Sequence, residues 1–365
     1  MINLNVKIFN PCWGVDVAQD WGIAAESADY HAVMQQPYRI AAIPAFWNQP
    51  TNFAYPGPDV KVDMRKFDLL IISDIEPCSP EHIYNWLEKQ DIFDGYVVAY
   101  GSKDNHQPID EKFSVYRPWW MYNLLRLNQY EDTRLDLKPF MFDALLGTRR
   151  PHRDYIMFAL QRHDRLLDQC VVTYRSQFTG GAVDDMSDRI RQEFSDIEQL
   201  DWPYVSSNLD PQWEPIPEIK KNISPFVPYK IYQQCWYSII AETVNTGPGF
   251  FLTEKTSKAF WAKRLFVLFS TQDFLKNLHM LGFETFGHVI DESYDEEPID
   301  SIRYKKAFDA VLSLSQRDPV AVLNSVKDQL DHNHNRMHVL QKETAQTMKN
   351  LLLDRLPTSV IKSVD

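Results

Sequence analysis

Four short runs of β-branched and apolar residues, 3–9, 38–43, 67–73 and 95–100, recur at intervals wide enough to hold a helix between each pair. Strands spaced this way cross over before they pair again, so the rhythm restricts the N-terminal half to a parallel sheet of the nucleotide-binding α/β type. The stretch Ser79-Pro80-Glu81-His82-Ile83-Tyr84-Asn85-Trp86-Leu87 supplies one of the intervening helices. It offers a serine cap, a proline at the first helical position and Ile83, Trp86 and Leu87 on one face.

A second block begins near residue 135, where 139–147 reads as a strand running into the basic turn Thr148-Arg149-Arg150-Pro151-His152-Arg153. An amphipathic helix is expected over 154–167 and a further strand over 170–174. Residues 180–228 are polar and proline-rich and give little pattern, whereas 230–243 reads as one strand. Beyond Asp300 the spacing becomes helical, over 301–314 and again over 319–353. The expected organisation is an α/β domain over 1–134, a second α/β domain over 135–300, and C-terminal helices over 301–365 packing across both.

Charge and cysteine usage narrow the function classes. The 38 basic against 50 acidic residues give a net charge of −12, which supplies no global attraction to nucleic acid or an anionic membrane. Cys12, Cys78, Cys170 and Cys235 are too scattered for a zinc site or a disulfide framework, and a reducing cytoplasm is expected. The start MINLNVKIFN has the alternation of a first strand rather than the regions of a signal peptide. Apolar runs such as 260–270 are broken by Lys263 and Arg264, so a bilayer-spanning helix is not expected. No G-x-G-x-x-G follows the first strand, which disfavours a dinucleotide-dependent oxidoreductase.

Chemistry concentrates in residues 239–295. An apolar strand ends at Glu242, a Gly-Pro-Gly turn follows at 247–249, and Thr253 is placed to cap a helix that opens with Glu254 and Lys255. The unpaired N–H groups and dipole of a helix start favour phosphate, and Lys255 and Lys258 lie on its first turns, so a diphosphate is expected there. A carboxylate at Glu254 can accept two hydrogen bonds from a ribose diol. Glutamate and lysine in a first helical turn also serve simply to compensate the dipole, and spacing does not separate the two roles.

The full run is more specific than its parts. It comprises Thr253, Glu254, Lys255, Thr256 and Lys258; then 266–269; then Leu275, Leu278, Leu281, Gly282, Phe283, Thr285 and Phe286; and finally Asp291-Glu292-Ser293-Tyr294-Asp295. This run resembles the C-terminal signature of a glycosyltransferase-like family of tailed bacteriophages and, more distantly, the donor-binding half of α-1,3-fucosyltransferases. The likeness covers about 60 residues closely and extends loosely over 139–174. One departure is Leu265-Phe266, where the family often has Pro-Phe.

The resemblance implies the GT-B architecture, in which two Rossmann-type domains face a central cleft. The acceptor side would be 1–134 and the donor side 135–300, with a UDP- or GDP-linked sugar as donor substrate. It implies that Glu254 binds ribose and that Lys255 or Lys258 faces the diphosphate. Arg149 and Arg153 would then neutralise the leaving group without needing a metal, because negative charge accumulates there in the transition state. An inverting enzyme also requires a general base; Asp74 and Glu76 follow the strand 69–73, and Asp16 and Asp20 are alternatives. The phage association implies the cytoplasm of an infected cell and makes 5-hydroxymethylcytosine in DNA one expected acceptor, beside polysaccharide, protein or small-molecule hydroxyls. A catalytically degenerate fold kept as a binding or virion-associated module is the rival.

Three further groups have a reading in the sequence. The 291–295 run lacks the spacing of a calcium loop and is expected to close the donor domain, with Glu292 or Tyr294 near the cleft. His332, His334 and His338 read as a solvated helical face. Trp13, Trp21, Trp119 and Trp120 are acceptor-stacking candidates if they are not core.

Overall fold

The computed structural model describes residues 1–10, 17–45, 62–74, 80–104, 109–118, 121, 124–125, 129–131, 137–148, 150–175, 227–247 and 249–362. The chain is a mixed α/β protein with parallel sheets and a helical C-terminus, and it divides into two compact units. One unit joins Met1–Trp119 to Val339–Asp365; the other is Trp120–His338.

The first unit is built on six strands, β1 (Ile8–Phe9), β2 (Ser27–Ala28), β3 (Ile40–Ala45), β4 (Leu69–Asp74), β5 (Tyr96–Tyr100) and β6 (Ser114–Tyr116). They lie in the order β2-β1-β3-β4-β5-β6, every neighbour parallel. Strands covered on both faces carry nearly continuous apolar runs, and alternate residues are divided between two cores. Ile40, Ala42, Leu69, Ile71, Val97 and Ala99 enter one of them, whereas Ala41, Ile43, Leu70, Ile72, Val98 and Tyr100 enter the other. Helix α1 (Pro80–Lys89) covers the second core with Ile83, Trp86 and Leu87. The first is closed by Met348, Leu351, Leu352, Leu356 and Val360, from the far end of the sequence. Main-chain hydrogen bonds Asn5 N to Val360 O (2.8 Å) and Lys362 N to Asn3 O (2.9 Å) tie the two ends together.

The second unit carries β7 (Phe140–Thr148), β8 (Cys170–Arg175), β9 (Cys235–Ala241) and β10 (Phe266–Phe269), all parallel and ordered β8-β7-β9-β10. The second strand lies on one side of the first and the third on the other, so the winding reverses between β7 and β9. In open α/β sheets this switch point, at the carboxyl ends of the strands, is where ligands bind. Helices α2 (Pro151–Gln161) and α3 (Glu254–Trp261) start there, after β7 and β9 respectively. At the opposite end of β9, Arg264 reaches back to the carbonyls of Tyr232 (2.8 Å) and Cys235 (2.5 Å) and pairs with Asp143 of β7 (2.7 Å). Burial pushes the Asp143 carboxyl up against the opposing pull of Arg264 and Ser238. Along the chain these are followed by α4 (Phe274–Met280), α5 (Asp300–Ser315), α6 (Pro319–Ser325) and α7 (Lys327–Leu353), whose residues from Val339 on belong to the first unit.

Several expected elements differ in detail. The strand expected over 230–243 begins only at Cys235, because Pro228 caps a helical turn over Tyr229–Tyr232 before it. The helix expected over 154–167 is two, Pro151–Gln161 and Asp164–Leu167, and the first is buried on every side from Pro151 to Leu160 rather than amphipathic. That expected over 319–353 breaks at Val326 (φ −108°, ψ 4°). Strands β2 and β6 went unforeseen, being two and three residues long. The first run is two pieces, Ile2–Asn3 and Ile8–Phe9.

Candidate functional site

The switch point of the second unit is assembled from two strand-to-helix turns. Gly147, near the end of β7, has φ +66°, a conformation that costs glycine least. Arg150 then adopts an extended conformation as the N-cap of α2, with Pro151 at the first helical position. Two side chains from this turn hold the main chain just beyond β9. Arg150 donates to the Thr243 carbonyl (2.7 Å), and His152 Nε2 lies 2.8 Å from the Glu242 carbonyl. A carbonyl only accepts, so Nε2 carries the proton and Nδ1 is a bare acceptor, without a hydrogen-bond partner among the described residues. Burial, with Arg153, Arg150 and Lys255 nearby, holds the His152 pKa well below the usual histidine range. The ring is neutral at physiological pH.

Glu242 is the centre of the second turn. It is fully buried, and its carboxylate receives Thr253 N (3.3 Å), Thr256 N (3.3 Å), Thr256 Oγ1 (2.6 Å), Thr243 N (3.1 Å) and the Thr253 hydroxyl. Thr253 is the N-cap expected of it, its Oγ1 accepting from Lys255 N (3.3 Å). The protein therefore supplies its own anion to the start of α3, and the amides of Lys255 and Thr256 are already engaged. An incoming diphosphate must be held mainly by side chains.

Those side chains are close at hand. Glu254, on the first turn of α3, pairs with Lys255 Nζ at 2.8 Å. Burial raises its carboxyl, but Lys255 and Lys258 together outweigh that and hold it below the ordinary glutamate range. Lys255 Nζ also donates to Thr243 Oγ1 (3.0 Å) and lies 3.5 Å from Thr253 Oγ1. Lys258, one helical turn beyond Glu254, is partly buried, and desolvation pushes its ammonium down to about 8. From α2, Arg153 is 5% exposed and is pushed down to about 10 by burial and Arg150, with Glu254, Glu242 and Asp154 pulling the other way. Four cations, Arg150, Arg153, Lys255 and Lys258, thus stand against three carboxylates, Glu242, Glu254 and Asp154. In a chain of net charge −12 this is a local excess of positive charge.

The structure brings Arg153 from one turn together with Thr253, Glu254, Lys255 and Lys258 from the other. Arg149, Asp16 and Glu76 lie outside the described residues, as do Trp13, Trp119, Trp120, Cys12 and Cys78. Asp74 ends β4, at the carboxyl edge of the first unit's sheet. Asp20 is buried in an ion pair with Arg117 and accepts from Ser73 Oγ (3.0 Å). Trp21 is a core residue, its Nε1 donating to Ser73 Oγ (3.0 Å). Sequence reasoning missed Glu242, Arg150 and His152 as parts of the site. The signal available for Glu242 was a carboxylate closing a strand whose seven residues are all buried.

The remainder of the 253–295 run is packing. Phe260 stacks on Phe283 (4.2 Å between centroids, 6° between planes), and Phe266 meets Phe286 edge-on. Glu292 turns inward to accept from Thr285 Oγ1 and Phe286 N (both 2.7 Å), and Asp295 accepts from the amides of Leu275 (2.8 Å) and Lys276 (3.1 Å) at the start of α4. Burial raises both carboxyls. The buried Tyr294 hydroxyl accepts from Leu268 N (3.4 Å). The histidines are not a simply solvated face: His332 lies 2.8 Å from the Gly282 carbonyl and His334 2.7 Å from that of Trp261, fastening α7 to the run. No helix among the described residues is long and apolar enough to cross a membrane. In comparison with known proteins, no family model matches this sequence and no curated protein is significantly similar to it.

Proposed function

We propose that this protein is a glycosyltransferase of the GT-B type that moves a sugar from a nucleoside-diphosphate donor to a hydroxyl acceptor. The observation that carries the reading is that Glu254, at the switch point between β7 and β9, has Arg153 of the one turn and Lys255 and Lys258 of the other acting on it. Carboxylate and cations together match a nucleoside diphosphate, whose ribose diol donates to a carboxylate and whose phosphates need fixed positive charge. In glycosyl transfer the departing nucleoside diphosphate gains negative charge as the sugar bond breaks, and preorganised Arg153 and Lys258 stabilise that charge without reorganisation. The acceptor hydroxyl loses its proton to a base, for which Asp74 at the end of β4 is the candidate. The bacteriophage family resemblance makes 5-hydroxymethylcytosine in DNA the first acceptor to try, with its base flipped out of the duplex.

One observation favours the degenerate module instead: Glu242 fills the helix start that would otherwise meet a phosphate. The test is a thermal-shift series with UDP- and GDP-sugars, followed by mass spectrometry of hydroxymethylcytosine DNA incubated with the stabilising donor. Stabilisation that is lost in a folded Glu254→Ala variant supports the donor site, and a sugar-sized mass gain identifies the acceptor. Absence of any shift with every donor favours the degenerate module.

A further inference from the structure

The first unit's sheet has a switch point of its own. Strands β2 and β3 lie on opposite sides of β1 and every neighbour is parallel, so the winding reverses there, and its carboxyl edge is the place for a ligand. Side chains on one face of a strand recur every second residue. On the face covered by Leu351 and Leu352, the row Leu69, Ile71 is continued by Ser73, and Val115 is continued by Arg117 just past β6. Both rows turn from apolar to polar at the carboxyl edge, and both meet Asp20, the last residue of the single helical turn Val17–Asp20 that follows β1.

The carboxylate of Asp20 is used on one side only. Its Oδ2 accepts from Ser73 Oγ (3.0 Å), which itself accepts from Trp21 Nε1 (3.0 Å), and pairs with Arg117 Nη1. Oδ1 accepts from no described residue. The side chains of Asp20 and Arg117 are 7% and 8% exposed, so two charges have been withdrawn from water. A buried ion pair seldom repays that desolvation, and apolar side chains of like volume serve stability as well or better. The core that ends at Ile71 and Val115 could have run on through positions 20, 73 and 117, so stability does not account for the pair. Its geometry does: two donors fix Oδ2 and leave Oδ1 as a held, charged acceptor.

We propose that the first unit binds a ligand of its own at this edge, an uncharged compound with a vicinal diol, and that Asp20 Oδ1 receives the diol's hydrogen bonds. A carboxylate oxygen has two lone pairs, enough for both hydroxyls, and hydrogen bonds to an ionised acceptor are the strong kind. The same charge repels a phosphate. Arg117 and Ser73 are positioning residues, which hold the carboxylate by its other oxygen. The site does not depend on the sugar-nucleotide reading of the second unit; under that reading the diol belongs to the acceptor.

The experiment is a saturation-transfer NMR titration of the full chain with maltose, lactose and methyl β-D-ribofuranoside, the first two standing for a saccharide and the third for the ribose of a nucleoside. Wild type is expected to give a saturable response to at least one, and the one that binds names the source of the diol. In Asp20→Asn the single carbonyl oxygen stays with Arg117 and Ser73, which turns an NH2 group to the place of Oδ1. That variant keeps its fold and loses about tenfold in affinity. The double variant Asp20→Leu/Arg117→Met keeps its melting temperature and loses the same binding. Wild-type affinity in either folded variant reduces the pair to a structural role and overturns the proposal, as does a wild type that responds to none of the three compounds. None of them carries a phosphate, so these outcomes are separate from success or failure of the sugar-nucleotide series.

Discussion

At the scale of single residues, the site is governed by one carboxylate that the sequence did not advertise. Glu242 has five donors directed at it, and its removal strands the Thr253 and Thr256 amides in a buried turn. Each orphaned buried group costs about 1–3 kcal/mol. Glu242→Ala is therefore expected to lower unfolding stability by roughly 3 kcal/mol, and Glu242→Gln by less, as read from urea midpoints. An unchanged midpoint in the alanine variant is incompatible with the clasp. Lys258 behaves oppositely, because its ammonium is held at about 8 rather than near 10.5 and so opposes folding while both states are protonated. Lys258→Met is expected to gain about 1 kcal/mol at pH 7 after allowance for solvent screening. That gain shrinks above pH 8 and vanishes past 10.5, so a pH series of melting curves tests its sign.

At the scale of elements, local grammar was read well and tertiary burial poorly. Thr253-Glu254-Lys255 announced its helix because a threonine cap before charged first-turn residues is a short-range signal, and the cap forms as expected. Helix α2 was misjudged because His152 and Arg153 read as the end of a basic turn, with an amphipathic helix only from Asp154, whereas the helix starts at Pro151 and all three side chains are buried. Its neighbouring strand β9 lost its first residues to Pro228, a local effect masked by the apolar run that follows. Glycine 282, closing α4, adopts φ +83°, and a Cβ there falls 2.8 Å from Arg336 Nε. That guanidinium is fixed to the Leu281 carbonyl (2.6 Å), so it does not yield freely. Gly282→Ala is expected to cost about 1–2 kcal/mol and to loosen α7 locally, which hydrogen exchange over 330–337 reads directly.

At the scale of the molecule, the parallel sheets were legible because runs such as Leu69-Leu70-Ile71-Ile72 admit no other covering than two faces. The return of the C-terminus was not, since Met348, Leu351 and Leu352 keep ordinary helical spacing and nothing in it names their partner. Leu352 is fully buried against the first unit's sheet. Leu352→Ala should cost about 2–5 kcal/mol, and calorimetry should find the loss in the transition of the first unit. Equal loss of both transitions excludes the assignment of this helix end to that core.

That return also fixes an order of events during synthesis. Domains ordinarily fold as they emerge, N-terminal first, at about 5–20 residues per second. Here one face of the sheet formed by the strands up to Trp119 is covered only in part, by residues such as Val17, Ala18 and Trp21, until residues near 350–360 arrive, a delay on the order of 10–50 s at that pace. The unit that lies second along the chain, continuous from Trp120 to His338, is complete first. The part of that face reserved for Met348, Leu351 and Leu352 is thus bare apolar surface on the ribosome until the tail arrives to cover it.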